Sequence, residues 1–343
     1  MMKAAELTGL RDLRIQDRPV PHITAPGEVL IRVRVVGVCG SDVHYYTSGR
    51  IGDQVVEFPW IVGHETAGTV EETGGGVTGI SPGDRVAVDP VLSCGTCDQC
   101  LAGRRHTCRN QRFLGCPGQI EGALCEYIVL PEECCYLIPE NLSFEQAALC
   151  EPLSIGMYAA DLAGLGPDTA TVILGSGPIG ISVLLAARNR GVETIFTADP
   201  LSYRNSASSD FGASWAGNPE ELSGILEARL PEGPAVIFEC CGEQEALDQA
   251  VGLCSPGGRI MIVGIPEFDR YTFDAHGARR KELEFRHVRR QNNFAGRALE
   301  AVSKGDIIPD RMATHDFTLT ESRYAFELVD GYKDGVIKAI IHM

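Results

Sequence analysis

Hydrophobic and polar positions alternate in short runs through the first 150 or so residues. The run Val29-Leu-Ile-Arg-Val-Arg-Val-Val-Gly-Val38 is rich in β-branched residues and changes character every second position. That period is the mark of a strand with one buried face. Segments around Gly68-Thr-Val70, Arg85-Val-Ala-Val88 and Leu124 to Val129 read the same way, with Gly and Pro as punctuation. Together they predict an all-β, barrel-like unit. From Thr171 the pattern switches to strand and helix in turn. Val172–Leu174 reads as a strand, Ile179–Asn189 as a helix and Thr194–Ala198 as a strand. Val236–Glu239 and Ile260–Val263 are further buried strands with a helix between them. This alternation predicts a parallel sheet with crossover helices. Beyond about residue 290 the expected elements are a helix at Ala295–Ser303, a strand at Asp316–Leu319, a helix at Glu321–Val329 and a strand at Val336–Ile341.

Residues 169–187 carry no charge, a length that raises the question of a membrane span. The middle of that stretch holds Gly-Ser-Gly-Pro-Ile-Gly, so a strand, a tight turn and a buried helix account for it better. At 343 residues the chain is long enough for two domains, and 44% hydrophobic with 22% charged residues is ordinary globular composition. A net charge of −16 argues against nucleic acid or an anionic membrane as partner, since both need clustered basic residues. The 13 cysteines would suggest disulfides in a secreted chain, but Met1-Met2-Lys3-Ala4 runs directly into a strand-like segment rather than a secretory signal. The odd count and a tight cluster predict zinc thiolates in a reducing, cytoplasmic setting.

That cluster is Cys94, Cys97, Cys100 and Cys108, spaced C-x2-C-x2-C-x7-C. A closed tetrahedral zinc site takes four thiolates from a compact loop. His106 lies inside the loop and is superfluous to a filled sphere. Seven further cysteines, Cys116, Cys125, Cys134, Cys135, Cys240, Cys241 and Cys254, read as small buried residues. Cys39 with the pair His64-Glu65, and Glu151 further on, offer a mixed sulfur, nitrogen and oxygen site. Gly175-Ser-Gly177-Pro178-Ile179-Gly180 follows a β-branched strand and opens a helix, the context in which backbone N–H groups face a pyrophosphate. Asp199 ends the next strand, 19 residues after Gly180, where a carboxylate binds the ribose hydroxyls of NAD and repels the 2′-phosphate of NADP. Arg204, five residues on, is read as stacking on adenine or exposed.

The run Gly63-His64-Glu65-Thr-Ala-Gly68, with Gly74, Val77 and Gly83-Asp84-Arg85-Val86, resembles the signature of the zinc-dependent medium-chain alcohol dehydrogenases. Val38-Cys39-Gly40-Ser41-Asp42-Val43-His44-Tyr45-Tyr46 and Cys150-Glu151-Pro152-Leu153-Ser154 resemble the sorbitol (polyol) dehydrogenase branch. The likeness covers nearly the whole chain. It implies a GroES-like β-barrel catalytic domain at 1–153 and 290–343, and a Rossmann NAD-binding domain with a doubly wound parallel sheet at 154–289. It implies two zinc ions, one structural and one catalytic, and NAD as cofactor. The catalytic ligands fall on Cys39, His64 and either Glu65 or Glu151. In a regular strand adjacent side chains point to opposite faces, so His64 and Glu65 share a metal only if the backbone turns there. Ser41 and His44 match the family's proton relay. Phe238-Glu239-Cys240-Cys241-Gly242 and Val263-Gly264-Ile265 match segments that line the nicotinamide.

The same resemblance implies a small polyhydroxy substrate, sorbitol-like or cyclic, near Tyr45 and Arg289. It departs at Arg290, where the branch commonly carries Tyr. A second guanidinium favours a carboxylate or phosphate, unless Arg290 pairs with a glutamate such as Glu282 or Glu284. The alternatives are therefore a sugar acid or a hydroxy amino acid such as threonine, and outside enzymes a zinc- and nucleotide-binding structural protein. The resemblance also implies a homodimer or homotetramer formed by extending the parallel sheet through an edge strand near Arg259–Ile265.

Overall fold

A computed structural model describes residues 1–343 as two compact units. The first comprises Met1–Glu151, Ala295–Gly305 and Pro309–Met343; the second comprises Pro152–Phe294 and Asp306–Ile308. No helix is long and apolar enough to cross a membrane. The uncharged stretch resolves into the strand Thr171–Leu174 and the helix Pro178–Asn189.

In the first unit the strand Glu28–Gly37 is the hub. It pairs antiparallel with Glu65–Thr73, with Tyr127–Pro131 and with Lys338–His342. Arg85–Val88 and Cys135–Leu137 extend the sheet on one side, and Ala313–Thr318 on the other. A separate antiparallel hairpin joins Met2–Gly9 to Asp12–Arg18. Val29, Ile31, Val33, Val36, Val70, Val86 and Ile128 meet in one apolar core with Leu7 and Phe326. Within the hub, Gly37 stands opposite Glu65 in one neighbouring strand and Ile340 in the other. That register brings residues from the beginning and the end of the chain to the same spot.

The second unit is a six-stranded, wholly parallel sheet. Its spatial order is Trp215–Gly217, Ile195–Ala198, Thr171–Leu174, Val236–Glu239, Arg259–Ile262 and Glu284–His287. The first strand in sequence lies in the middle and the chain winds outward in both directions, which is the doubly wound order. Strand order reverses between Thr171–Leu174 and Val236–Glu239, and their carboxyl ends are where such sheets bind ligands.

Three features depart from expectation. The edge of the sheet is Glu284–His287, because Arg259–Ile262 is paired on both sides. Glu-Phe-Arg-His holds one apolar residue in four and is mostly exposed, so its hydropathy carries no strand signal. The helix Gly40–Ser48 follows Cys39 directly. A 19-residue helix, Phe144–Leu162, runs through Pro152, so the division between the units falls inside a helix rather than in a linker. At its start Ser143 and Gln146 exchange bonds of 2.9 and 3.1 Å, a capping box.

Gly68 tests the packing of the hub strand. A Cβ there would lie 2.5 Å from the Arg32 carbonyl oxygen and 2.7 Å from Ile31 Cγ2. Backbone must then move, and overpacking of this kind costs about 1–3 kcal/mol. Gly68→Ala is expected to lower the urea midpoint accordingly; an unchanged midpoint would show that the strand pair yields freely.

Candidate functional site

The first cluster forms where the strand Glu65–Thr73 begins. His64 lies just before it, and Gly63 holds φ +99°. The backbone turns at the point where two adjacent residues need to face one way. Cys39 precedes the helix Gly40–Ser48, and its sulfur meets His64 and Glu65 such that one ligand atom from each lies within 4.8 Å of the others. Asp42, 1% exposed, organises them. Its Oδ1 accepts the Gly63 N–H at 3.1 Å and stands 3.3 Å from His64 Nδ1, while its Oδ2 accepts the Cys39 N–H at 3.3 Å. With Nδ1 turned to a carboxylate, the other ring nitrogen is left for a metal. Burial disfavours the imidazolium, but Asp42 and Cys39 outweigh it and hold His64 well above its usual range. Phe113 covers the ring with centroids 5.1 Å apart. Ser41 Oγ donates to Cys39 Sγ at 3.4 Å.

Glu65 is held from behind. Its Oε1 accepts from Lys338 Nζ at 2.7 Å, and both side chains are 1% exposed. Lys338 also donates to the Val38 carbonyl at 3.1 Å. Burial works against this ammonium, and Glu65 and Cys39 more than restore it, leaving its pKa raised. The second oxygen, Glu65 Oε2, is buried without a hydrogen-bond partner. It lies against Gly37, where any Cβ would collide with it. Glu151, in the helix Phe144–Leu162, is outside the three-residue group. Burial pushes its carboxyl up to about 7, opposed by His64 and reinforced by Glu65.

The second cluster is the cysteine lobe. Its sulfurs stand 3.5 Å (Cys94 to Cys108), 3.6 Å (Cys97 to Cys100), 3.8 Å (Cys97 to Cys108) and 4.0 Å (Cys94 to Cys100) apart. Zinc–sulfur bonds of about 2.3 Å imply tetrahedron edges of about 3.8 Å. Backbone N–H groups of Cys94 and Cys97 donate to Cys108 and Cys94 sulfurs at 3.3 and 3.4 Å. The N–H and hydroxyl of Thr96 and the N–H of Cys97 bring Cys94 down to about 5. Cys100 goes up to about 11 through loss of hydration and the crowding of other sulfurs. A dication at the centre removes that crowding. His106 is buried and is not part of the set.

The third feature is the loop after Thr171–Leu174. Gly175 has φ +92°, Gly177 caps the helix Pro178–Asn189, and a Cβ on Gly180 would collide with the Gly175 carbonyl oxygen. Asp199, 2% exposed, accepts the Ser176 N–H at 2.8 Å and the Leu201 N–H at 2.9 Å. Arg204 is not exposed: its side chain is 15% exposed and reaches Asp199 at 3.5 Å. It also lies over Gly177, 3.6 Å from where a Cβ would stand.

The family pattern of the alcohol dehydrogenase GroES-like domain matches residues 25–140, and that of zinc-binding dehydrogenases matches residues 178–304. A sorbitol dehydrogenase of Bacillus subtilis (strain 168) is 35% identical over 99% of this chain and 97% of its own. The chain belongs to the zinc-binding dehydrogenases. An L-idonate 5-dehydrogenase of Vitis vinifera is 34% identical over 93% of this chain and 88% of its own. An alcohol dehydrogenase from Escherichia coli CFT073, solved with NADH, superposes with a TM-score of 0.91 at 29% identity, covering 100% of this chain and 99% of that one.

Zinc and a nicotinamide dinucleotide are the cofactors of such a dehydrogenase, and both donor sets fit a zinc ion. The unpartnered Glu65 oxygen and the sulfur spacing carry that fit. Other expected residues scatter. Tyr45 is 4% exposed, and its hydroxyl donates to Gln54 at 3.2 Å beside Cys116 Sγ at 3.7 Å. His44 is half-buried on the same helix. Arg289 is exposed and Arg290 half-buried at φ +53°, while Glu284 pairs with Arg286 at 3.5 Å. Cys241 is exposed rather than buried, since it lies in a turn beyond its strand, and Cys135 and Cys240 are only half-buried. Val263 is buried, Gly264 half-buried and Ile265 exposed. Asp42, Phe113 and Lys338 escaped the sequence reading. For Lys338 a signal existed: one lysine inside Val-Ile-Lys-Ala-Ile-Ile, a run otherwise fit for a buried strand.

Cys108→Ser is expected to reduce bound zinc from two ions per chain to one and to lower the melting temperature, because a structural zinc contributes folding free energy. Cys39→Ser also loses one zinc but melts close to the parent. Metal analysis with calorimetry reads both, and equal melting losses would merge the two roles. In chelator-treated protein, Lys338→Met leaves Glu65 buried and uncompensated, a change worth about 3–5 kcal/mol. Urea unfolding would measure it, and a loss under about 1 kcal/mol would show that the pair is not needed.

Proposed function

We propose that this chain oxidises a secondary hydroxyl of a neutral polyol, passing hydride to NAD. The observation that carries the reading is the convergence of Cys39, His64 and Glu65, with a Glu65 oxygen left without a partner, in a chain so similar to a sorbitol dehydrogenase. A structural protein has no use for an open donor set. Bound zinc supplies a Lewis acid that acidifies a hydroxyl, and the nicotinamide supplies the hydride acceptor.

The chain's own groups do the rest. Cys39 and His64 hold the metal, with Glu65 or Glu151 as the oxygen donor. Asp42 orients His64. Ser41 takes the hydroxyl proton and His44 passes it to solvent. Tyr45 and Arg289 serve the substrate side. Residues 1–153 and 290–343 act as the catalytic domain and 154–289 as the cofactor domain, whose loop Gly175–Gly180 receives the pyrophosphate. The assembly is a homodimer or homotetramer.

A sugar acid is the second reading. It is favoured by the adjacent Arg289 and Arg290 and by the grapevine relative named for L-idonate. Steady-state kinetics on an alditol and its matching aldonate separate the two. The neutral reading expects the alditol to have the higher kcat/KM. An aldonate preference of tenfold or more, about 1.4 kcal/mol, abolished in Arg290→Ala, would overturn it. With the better substrate, kcat/KM for NAD is expected to exceed that for NADP at least tenfold. Asp199→Ala should narrow the gap, since like charge at that position opposes a 2′-phosphate. Equal efficiency in the parent would remove the selectivity.

A further inference from the structure

The parallel sheet ends, at its carboxyl edge, in three neighbouring turns. These are Gly175–Gly177, Cys240–Gly242 and Val263–Ile265, following the strands Thr171–Leu174, Val236–Glu239 and Arg259–Ile262. Glu239, the last residue of the middle strand, is completely buried where they meet. Its Oε1 accepts the N–H groups of Cys241 at 2.8 Å and Gly242 at 2.5 Å. Its main-chain carbonyl accepts those of Val263 at 2.8 Å and Gly264 at 3.0 Å. Four amides from two turns converge on one residue.

The turns also touch backbone to backbone. A Cβ on Gly264 would collide with the Gly242 nitrogen and lie 2.8 Å from Glu239 Oε2, and one on Gly242, at φ +77°, would collide with the Ile265 carbonyl oxygen. On the other side, a Cβ on Gly175 would lie 3.0 Å from Cys241 Cβ and 3.1 Å from its nitrogen. Movement of the 240–242 turn is therefore felt in both neighbours. Burying a carboxylate with one oxygen lacking a partner is costly. A core needing only apolar contact would hold a smaller or neutral side chain there.

We propose that Glu239 is a positioning residue for the cofactor. It fixes the 240–242 and 263–265 turns against the glycine loop, at the spacing across which a dinucleotide lies on the carboxyl end of the sheet. The proposal rests on the dinucleotide reading of Gly175–Gly180.

The test is NADH fluorescence titration of the full-length, zinc-loaded protein, with a thermal melt for each variant. The parent saturates. Glu239→Ala and Gly264→Ala raise the Kd for NADH at least tenfold in protein still folded at the titration temperature. Glu239→Gln stays within threefold of the parent, because its amide oxygen still accepts both N–H groups. A merely structural role would lower the melting temperature of Glu239→Ala and leave the Kd of the folded fraction unmoved; a Kd within twofold of the parent overturns the proposal. So does a Glu239→Gln loss as large as that of Glu239→Ala, which would make charge and not placement the cause. If Glu239→Ala does not fold, a parental Kd in Gly264→Ala overturns it equally. A parent that fails to bind NADH removes the dinucleotide reading itself, and this inference with it.

Discussion

A buried ion pair between Lys338 and Glu65 constrains much of the first unit. Two charges withdrawn from water are tolerated only when each finds partners close at hand. Lys338 finds a carboxylate oxygen and the Val38 carbonyl; Glu65 finds the ammonium and, at its other oxygen, nothing from the protein. The pair can meet only because the hub strand lies between their two strands and carries Gly37 at the crossing. Any side chain at that position would take the space of the carboxylate. The sheet register, the glycine and the donor set are thus one arrangement, and a slip of one residue would turn Glu65 to the other face.

The two clusters solve the problem of gathering donors in opposite ways. The cysteine lobe draws its four sulfurs from within 15 residues, Cys94 to Cys108, and uses turns and N–H···S bonds to bring them together. Cys39, His64 and Glu65 come from a helix start and a strand start, aligned by Asp42. The first arrangement is local and closed. The second depends on tertiary structure and on buried acids and bases whose charges balance only as a set.

Local pattern carried the fold well where burial is one-sided or complete. The parallel strand Val236–Glu239, the antiparallel strand Arg85–Val88 and the helix Ala295–Ser303 were legible because burial sets their hydropathy. The edge strand Glu284–His287 was not, since an exposed strand owes its existence to its neighbour's backbone rather than to its side chains. The cysteine lobe and the glycine loop were legible because their chemistry needs fixed residue types at short spacing, whereas Cys39, His64, Glu65 and Glu151 are scattered and were gathered by the family resemblance. The partner of Lys338 was illegible for the converse reason: the apolar run around it marks a buried lysine, but 273 residues separate it from Glu65, and no local pattern reports a contact so distant. Arg204 shows the limit of reading a residue singly, for its position against Asp199 and Gly177 depends on the path of two turns.

That separation has a consequence for how the protein is made. A ribosome delivers the chain from its N-terminus. Cys39, His64 and Glu65 therefore emerge early, and for most of synthesis Glu65 has no counter-charge. It must stay hydrated, keep its segment open, or be neutralised by something else. The strand Lys338–His342, whose lysine follows Glu65 by 273 residues, brings the ammonium with it. The nascent chain therefore has all four sulfurs of the cysteine lobe in hand long before Glu65 can meet its counter-charge.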